Sequence, residues 1–324
     1  MSYAGRWSDF PDYILEITEE IWRDRAIETL NRYYAPDIPV RTPMGVSRGN
    51  QGVIAATMGM LTEFPDRQGH AEDVIWSNHP QHGYLSSHRG VSRMTHDRDG
   101  QFGPGTGKML TFRVIADCAA RGAEIYDEWL VRDYGAIVRQ LGHHPRDFAR
   151  RLIEADGGPE RTTRPFLPEN DIAGDYKGRG NDNEWGLRYA DILTSVMTTD
   201  FRHVVQVYDR AVQGEYPGGV HGIGVGDTVA FWMNLRSALP TATFEIHHRI
   251  GMDGGMLSPR AAIRWSLDGA HDGWGAFGKP TGRRVHVMGL SHAEFGPWGI
   301  RRETALYDEV AIWKQILLQT EDAE

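Results

Sequence analysis

The segment Phe102-Gly-Pro-Gly-Thr-Gly-Lys108 returns later in the chain as Phe277-Gly-Lys-Pro-Thr-Gly-Arg283, with Thr106 and Thr281 setting an offset of 175 residues. The same ungapped offset pairs Ile17 with Ile192, Tyr33 with Tyr208, Gly49 with Gly224, Pro65 with Pro240, Glu128 with Glu303 and Asp133 with Asp308. It also carries Arg89 onto Arg264, His96-Asp97 onto His271-Asp272, and Ala136-Ile137 onto Ala311-Ile312. Average residue usage would match about one position in sixteen by chance, so agreement sustained over most of each half indicates duplication. A chain repeated in this way folds as two copies of one unit.

The copies run from about residue 10 to 142 and from about 186 to 318, giving a first domain over 1–142, a linker over 143–185 and a second domain over 186–324. The linker is rich in Arg, Asp, Gly and Pro, and its length of about 40 residues predicts a surface-wrapping or partly mobile segment. Pro145 marks its start, and 147–155 reads as a short helix.

Within the first copy, Ile14, Ile17, Ile21 and Trp22 recur at helical spacing, as do Val53, Ile54, Met58 and Leu61. After Pro65 the pattern becomes strand-like over 70–76, 83–95, 108–120 and 124–133, with Gly-rich turns between, and a helix over 134–141 closes the unit. Helices followed by hairpin-linked strands predict an α+β fold, a curved antiparallel sheet with helices closing one side.

A formal charge of −9 argues against nucleic acid or an anionic membrane as partner, since phosphate binding needs a surplus of Lys and Arg. A small molecule is the expected partner. Cys118 is the sole cysteine, which excludes an intrachain disulfide and suits a reducing compartment. The N-terminal residues lack a signal-peptide pattern and no stretch is apolar enough to span a bilayer, so a cytoplasmic location is expected.

The string Thr95-His96-Asp-Arg-Asp-Gly-Gln-Phe102-Gly-Pro-Gly-Thr106-Gly107-Lys108 is similar to a stretch shared by the SnoaL-like polyketide cyclases of the NTF2-like superfamily. Gly122-Ala-Glu-Ile-Tyr-Asp-Glu128-Trp129-Leu-Val-Arg-Asp133 resembles their last strand, and the second copy keeps the Glu and Asp but has Thr304 in place of Trp129. The resemblance covers both copies. It implies two tandem cone-shaped NTF2-like domains, each a curved antiparallel sheet with helices enclosing an apolar pocket, and an intrachain pseudo-dimer that could also form a homo-oligomer.

It further implies a cofactor-independent acid–base enzyme for cyclisation, isomerisation or elimination at a small or polycyclic carbonyl substrate. The alternative is a non-catalytic small-molecule-binding or scaffolding protein of the same fold, because fold alone does not choose a reaction.

Asp133 and Asp308 stand at the family's terminal-strand Asp and are the carried-over acid–base candidates. Each is also placed to cap the helix that follows it, and both roles are open. Asp117 and His292 occupy the same position in the two copies, where one lobe offers a carboxylate and the other an imidazole. Candidate substrate-binding residues are His88, Arg89, His96, Trp129, Arg264, His271 and His286. The arginines suit a carboxylate or a developing enolate, or else a nearby Asp or Glu. His96 and His271 suit a role in ordering their turns as well as a role in chemistry. Which sheet face points inward is not set by the pattern, since alternation serves either face.

His79, His82, His88 and His247-His248 match no zinc spacing, and no metal or other cofactor is expected. The Gly103-Pro-Gly-Thr-Gly-Lys108 run is not a phosphate loop, because Phe102 and Met109 replace required residues and the turn joins two strands.

Overall fold

A computed structural model describes residues 3, 5–254 and 256–319. The first copy runs α1 (Phe10–Trp22), α2 (Leu30–Tyr33), β1 (Pro39–Thr42), β2 (Gly45–Arg48), α3 (Asn50–Glu63), β3 (Gln68–His79), β4 (Gly83–His96), β5 (Lys108–Arg121), β6 (Glu124–Arg132) and α4 (Tyr134–Gln140). After α5 (Pro145–Ala155) the second copy follows as α6 (Glu184–Met197), α7 (Phe201–Val207), β7 (Tyr208–Tyr216), β8 (Val220–Ile223), α8 (Val225–Ala238), β9 (Thr243–Gly254), β10 (Leu257–Ala270), β11 (Arg284–Gly296), β12 (Gly299–Leu306) and α9 (Glu309–Leu317).

The offset of the sequence repeat is the offset of the structure: α3 and α8, β2 and β8, and β3 and β9 coincide end to end. Gly49 and Gly224 precede α3 and α8 with φ of 94° and 81°, a left-handed backbone that favours glycine. The repeated glycine therefore sets the same entrance to the helix in both copies.

Each copy builds a six-stranded sheet, in the orders β2-β1-β6-β5-β4-β3 and β8-β7-β12-β11-β10-β9. The pairings are antiparallel except for β1 with β6 and β7 with β12, which are parallel. Those parallel pairs make the sheets mixed rather than wholly antiparallel as the sequence pattern suggests. β1 and β2 are four residues each, too short to leave a period-2 signal.

Helices cap one face of each sheet. Asp9 accepts from the backbone of Asp12 at the start of α1, whose Phe10, Tyr13, Ile14, Ile17 and Ile21 are buried. The other faces of the two sheets meet, with Ile115 and Val131 from the first and Met288, Leu290 and Leu306 from the second forming one apolar layer.

The segment joining the copies lies along this seam. Phe166 packs edge-on to Trp129 between the sheets, Asp171 pairs with Arg41 at 2.5 Å, and Gly180 bridges to Arg249. The 11-residue α5, capped by the His144 side chain, packs against α9. Among the described residues, no helix is long and apolar enough to cross a membrane.

Candidate active site

The interior of the first lobe holds a cavity of about 650 Å³, closed by α1 and α3 on one side and by β3 to β6 on the other. Strand alternation decides which side chains reach it. On β6, Glu128, Leu130 and Arg132 line the cavity, while Trp129 and Val131 belong to the layer between the sheets. On β4 and β5, His88, Ser92, Val114 and Ala116 line it.

Glu128 is buried in this wall, and its Oε1 lies 3.5 Å from the Tyr34 hydroxyl, at the long limit of a hydrogen bond. Burial pushes the Glu128 carboxyl up to about 7, although Arg132 draws it back down. Such a carboxyl is partly ionised at neutral pH and can take and return a proton. Burial, with Glu128 nearby, also raises the Tyr34 hydroxyl, which therefore stays a donor. His88 is pushed down to about 4 by burial and is a neutral imidazole at neutral pH, with Nδ1 unpartnered.

The second lobe shows the same frame with large side chains in the corresponding space. Glu303, the counterpart of Glu128, accepts from Tyr189 at 2.9 Å, Tyr208 at 2.5 Å, Tyr216 at 3.2 Å and the Trp232 indole at 3.0 Å. The first copy has Ile14, Tyr33, Arg41 and Thr57 at those places, and Tyr33 and Arg41 bond Glu20 and Asp127 instead. Trp265 takes the place of Gly90 and lies so close over Gly289 that an added Cβ there would come within 2.2 Å of the indole. Its Nε1 donates to Ser291 at 2.8 Å. Trp232 and Trp265, both fully buried, thus occupy space that stays open in the first lobe.

Of the residues singled out from sequence, His88 lines the cavity as a side chain of its inner wall, and Arg89 borders it as well. Asp117, His292, Arg89, Arg264, Trp129 and His286 are brought together between the two sheets. Asp117 Oδ2 lies 3.3 Å from His248 Nδ1 and 3.9 Å from Arg264. Burial favours its neutral form, but the His248 bond and Arg264 outweigh that and hold it below the usual value.

His292 reaches Ser87 at 2.7 Å and Arg89 at 3.4 Å, and burial drives it well down. Arg41 and Arg264 both lie over the Trp129 ring, at 4.6 and 4.2 Å from its centre. His286 bonds Asp268 at 2.8 Å.

Asp133 caps α4 through the backbone of Ala136 at 2.9 Å and also accepts from Gly218 and Gly219 of the second lobe at 2.9 and 3.0 Å. Asp308 caps α9 through Val310 at 2.9 Å. Burial pushes Asp133 up to about 6 and Asp308 well up. His96 and His271 each sit 3.1 Å from the hydroxyl of the Thr that ends their turn, Thr106 and Thr281.

Glu128, Tyr34, Arg67 and Arg132 were not singled out from the sequence. The signals for Glu128 are its recurrence as Glu303 and its place in the strand that resembles the family's last strand.

His79 and His82 pack ring to ring at 4.6 Å, and among the described residues no three His, Cys, Asp or Glu side chains are arranged to hold a metal.

Residues 13–141 match the family model described as SnoaL-like polyketide cyclase. No match is found among curated proteins. Among solved structures, IdmH from Streptomyces antibioticus is 23% identical over 41% of this chain and 97% of its own, with a TM-score of 0.36. A SnoaL-like polyketide cyclase from Agrobacterium tumefaciens is 19% identical over 44% of this chain and 100% of its own, with a TM-score of 0.35. TsrD from Streptomyces laurentii is 16% identical over 40% of this chain and 95% of its own, also with a TM-score of 0.35. The first lobe therefore carries the SnoaL-like polyketide cyclase pattern over residues 13–141, and the second lobe repeats its fold in tandem.

Proposed function

We propose that the first lobe is an acid–base enzyme acting on a carbonyl compound held in its cavity, with Glu128 as the proton-transfer group. The observation that carries this reading is the Glu128 carboxyl, buried in the wall of an open cavity and pushed up to about 7. Ionised Glu128 removes the proton from the carbon beside the carbonyl, and the C–H electron pair becomes an enolate. The Tyr34 hydroxyl and neutral His88 are the donors available to that oxygen. Glu128 then returns the proton to a carbon or to oxygen, giving isomerisation or, when the enolate attacks a second carbonyl in the same molecule, ring closure.

The second lobe, in this reading, is the scaffolding member of an intrachain pseudo-dimer. Its Glu303 is tied by four donors inside a filled interior, so it is not free to move a proton. Asp133 and Asp308 act as helix caps, and Asp117 and His292 hold the lobes together.

Native mass spectrometry for a co-purifying ligand, followed by turnover of that ligand or its precursor by Glu128→Gln and Asp133→Asn, tests the assignment. Glu128→Gln is expected to lose roughly 10²-fold or more, and Asp133→Asn to keep wild-type turnover per folded molecule. Full activity in Glu128→Gln removes Glu128 from the chemistry.

A further inference from the structure

Arg67 lines the same cavity, is 7% exposed, and has no carboxylate paired with it among the described residues. Its Nε and Nη2 donate to the Ser92 hydroxyl at 3.2 and 3.0 Å. Its guanidinium lies 4.2 Å from the Trp22 ring and 5.5 Å from Phe112. Nη1 is buried with no partner. Its charged neighbours are other cations, Arg132 and Arg25, with the Tyr134 hydroxyl also near, and burial together with Arg132 lowers the guanidinium to about 9. A buried guanidinium ordinarily has its donors satisfied and its charge matched.

The duplication supplies an internal control. At the corresponding positions the second lobe has Ala242 for Arg67, Leu267 for Ser92, Tyr307 for Arg132, Met197 for Trp22 and Ile263 for His88. That lobe folds with the same sheet order and lacks the whole set, so the fold does not require Arg67. The polar set goes with the open cavity.

We propose that the first-lobe cavity takes a carboxylate-bearing aromatic or polycyclic compound, its carboxylate seated on the Arg67 guanidinium and its rings against the apolar wall. This rests on the reading of the cavity as a substrate site but not on which residue moves the proton. A carboxylate completes the fork geometry of a guanidinium and supplies the counter-charge the protein leaves out. Arg132 adds to the positive potential at that end. A neutral analogue of the same shape would leave the guanidinium without a counter-charge and gain none of this.

The test is calorimetric titration with 2-naphthoate and its neutral isostere 2-naphthamide at about pH 6, where naphthoate is ionised and Glu128 largely protonated. Wild type is expected to bind naphthoate roughly tenfold to a hundredfold more tightly than naphthamide. Arg67→Met, which keeps the stem and drops the charge, is expected to bind the two equally and to melt no lower than wild type. Ser92→Ala is expected to weaken naphthoate selectively. Equal binding by wild type, no binding of naphthoate, or a preference that survives Arg67→Met overturns the proposal. Because binding alone is read, a preference for naphthoate beside a fully active Glu128→Gln enzyme would remove the proton-transfer role and leave the anion site standing.

Discussion

Glu128 and Glu303 stand at one position of the duplicated frame and are bonded in opposite ways, the first beside a single distant tyrosine in an open cavity, the second held by three tyrosines and a tryptophan. Both carboxyls are raised by burial, and Glu128 lines the first-lobe cavity of about 650 Å³. The two copies differ in their interiors, the second carrying the buried Trp232 and Trp265 where the first has Thr57 and Gly90.

A raised carboxyl affects stability with a definite sign. Glu128 binds its proton at about 7 in the folded chain, against an ordinary 4.5, so between those values the folded state holds more protons than the unfolded one. Stability from this group falls as pH rises from about 4.5 to about 7 and stays lost above, by roughly 3 kcal/mol in full. Glu128→Gln removes the effect. Denaturant titrations at pH 5 and 8 should show the variant gaining roughly 2 to 3 kcal/mol on wild type between the two, and a constant difference would contradict it.

Thr57 faces the cavity where the second lobe has Trp232. Thr57→Trp is expected to fill the first lobe as its sister is filled. The variant should fold with wild-type far-ultraviolet circular dichroism, lose up to about 3 kcal/mol to imperfect packing, and bind 2-naphthoate at least roughly tenfold more weakly.

Asp133 ties the start of α4 to Gly218 and Gly219 across the lobes. Asp133→Ala should cost roughly 2 to 4 kcal/mol, about 1 from the lost cap and the rest from the freed backbone donors. Affinity for 2-naphthoate should stay within about twofold of wild type, because Asp133 does not line the cavity.

Asp117 sits between His248 and Arg264 in the buried layer between the lobes. Removing one partner of a buried charge set costs roughly 3 to 5 kcal/mol, the expected loss for Asp117→Ala at neutral pH. Since the folded state holds this carboxyl below its ordinary 3.8, its stabilisation is complete above that value and fades as pH falls through the folded one. The gap between wild type and variant should therefore narrow in acid unfolding curves below about pH 4.

The repeat, the offset and the helix-then-strand order are written in residues such as Thr106 and Thr281, because turn glycines and threonines tolerate little change where the backbone itself is constrained. The site was harder to read for a geometric reason. Trp129 and Asp133, the latter just past the end of β6, share one parity and Glu128 has the other; Trp129 packs toward the second sheet and Glu128 lines the cavity. Alternation along a strand says which residues share a face but not which face is covered by helices; that depends on α1 and α3 folding back over β3 to β6. Arg67 was invisible for a different reason, since a lone arginine in a loop carries no period. Only its replacement by Ala242 in the filled lobe singles it out.

The most direct test of the central claim is the titration of Glu128 itself, followed by carbon-13 NMR of side-chain carboxyls in labelled wild-type protein, with Glu128→Gln to assign the resonance. A midpoint near 7 is the predicted result. A midpoint at the ordinary value of 4.5 would mean that Glu128 is a solvated carboxylate, and the account of the first-lobe cavity as an acid–base site would be contradicted.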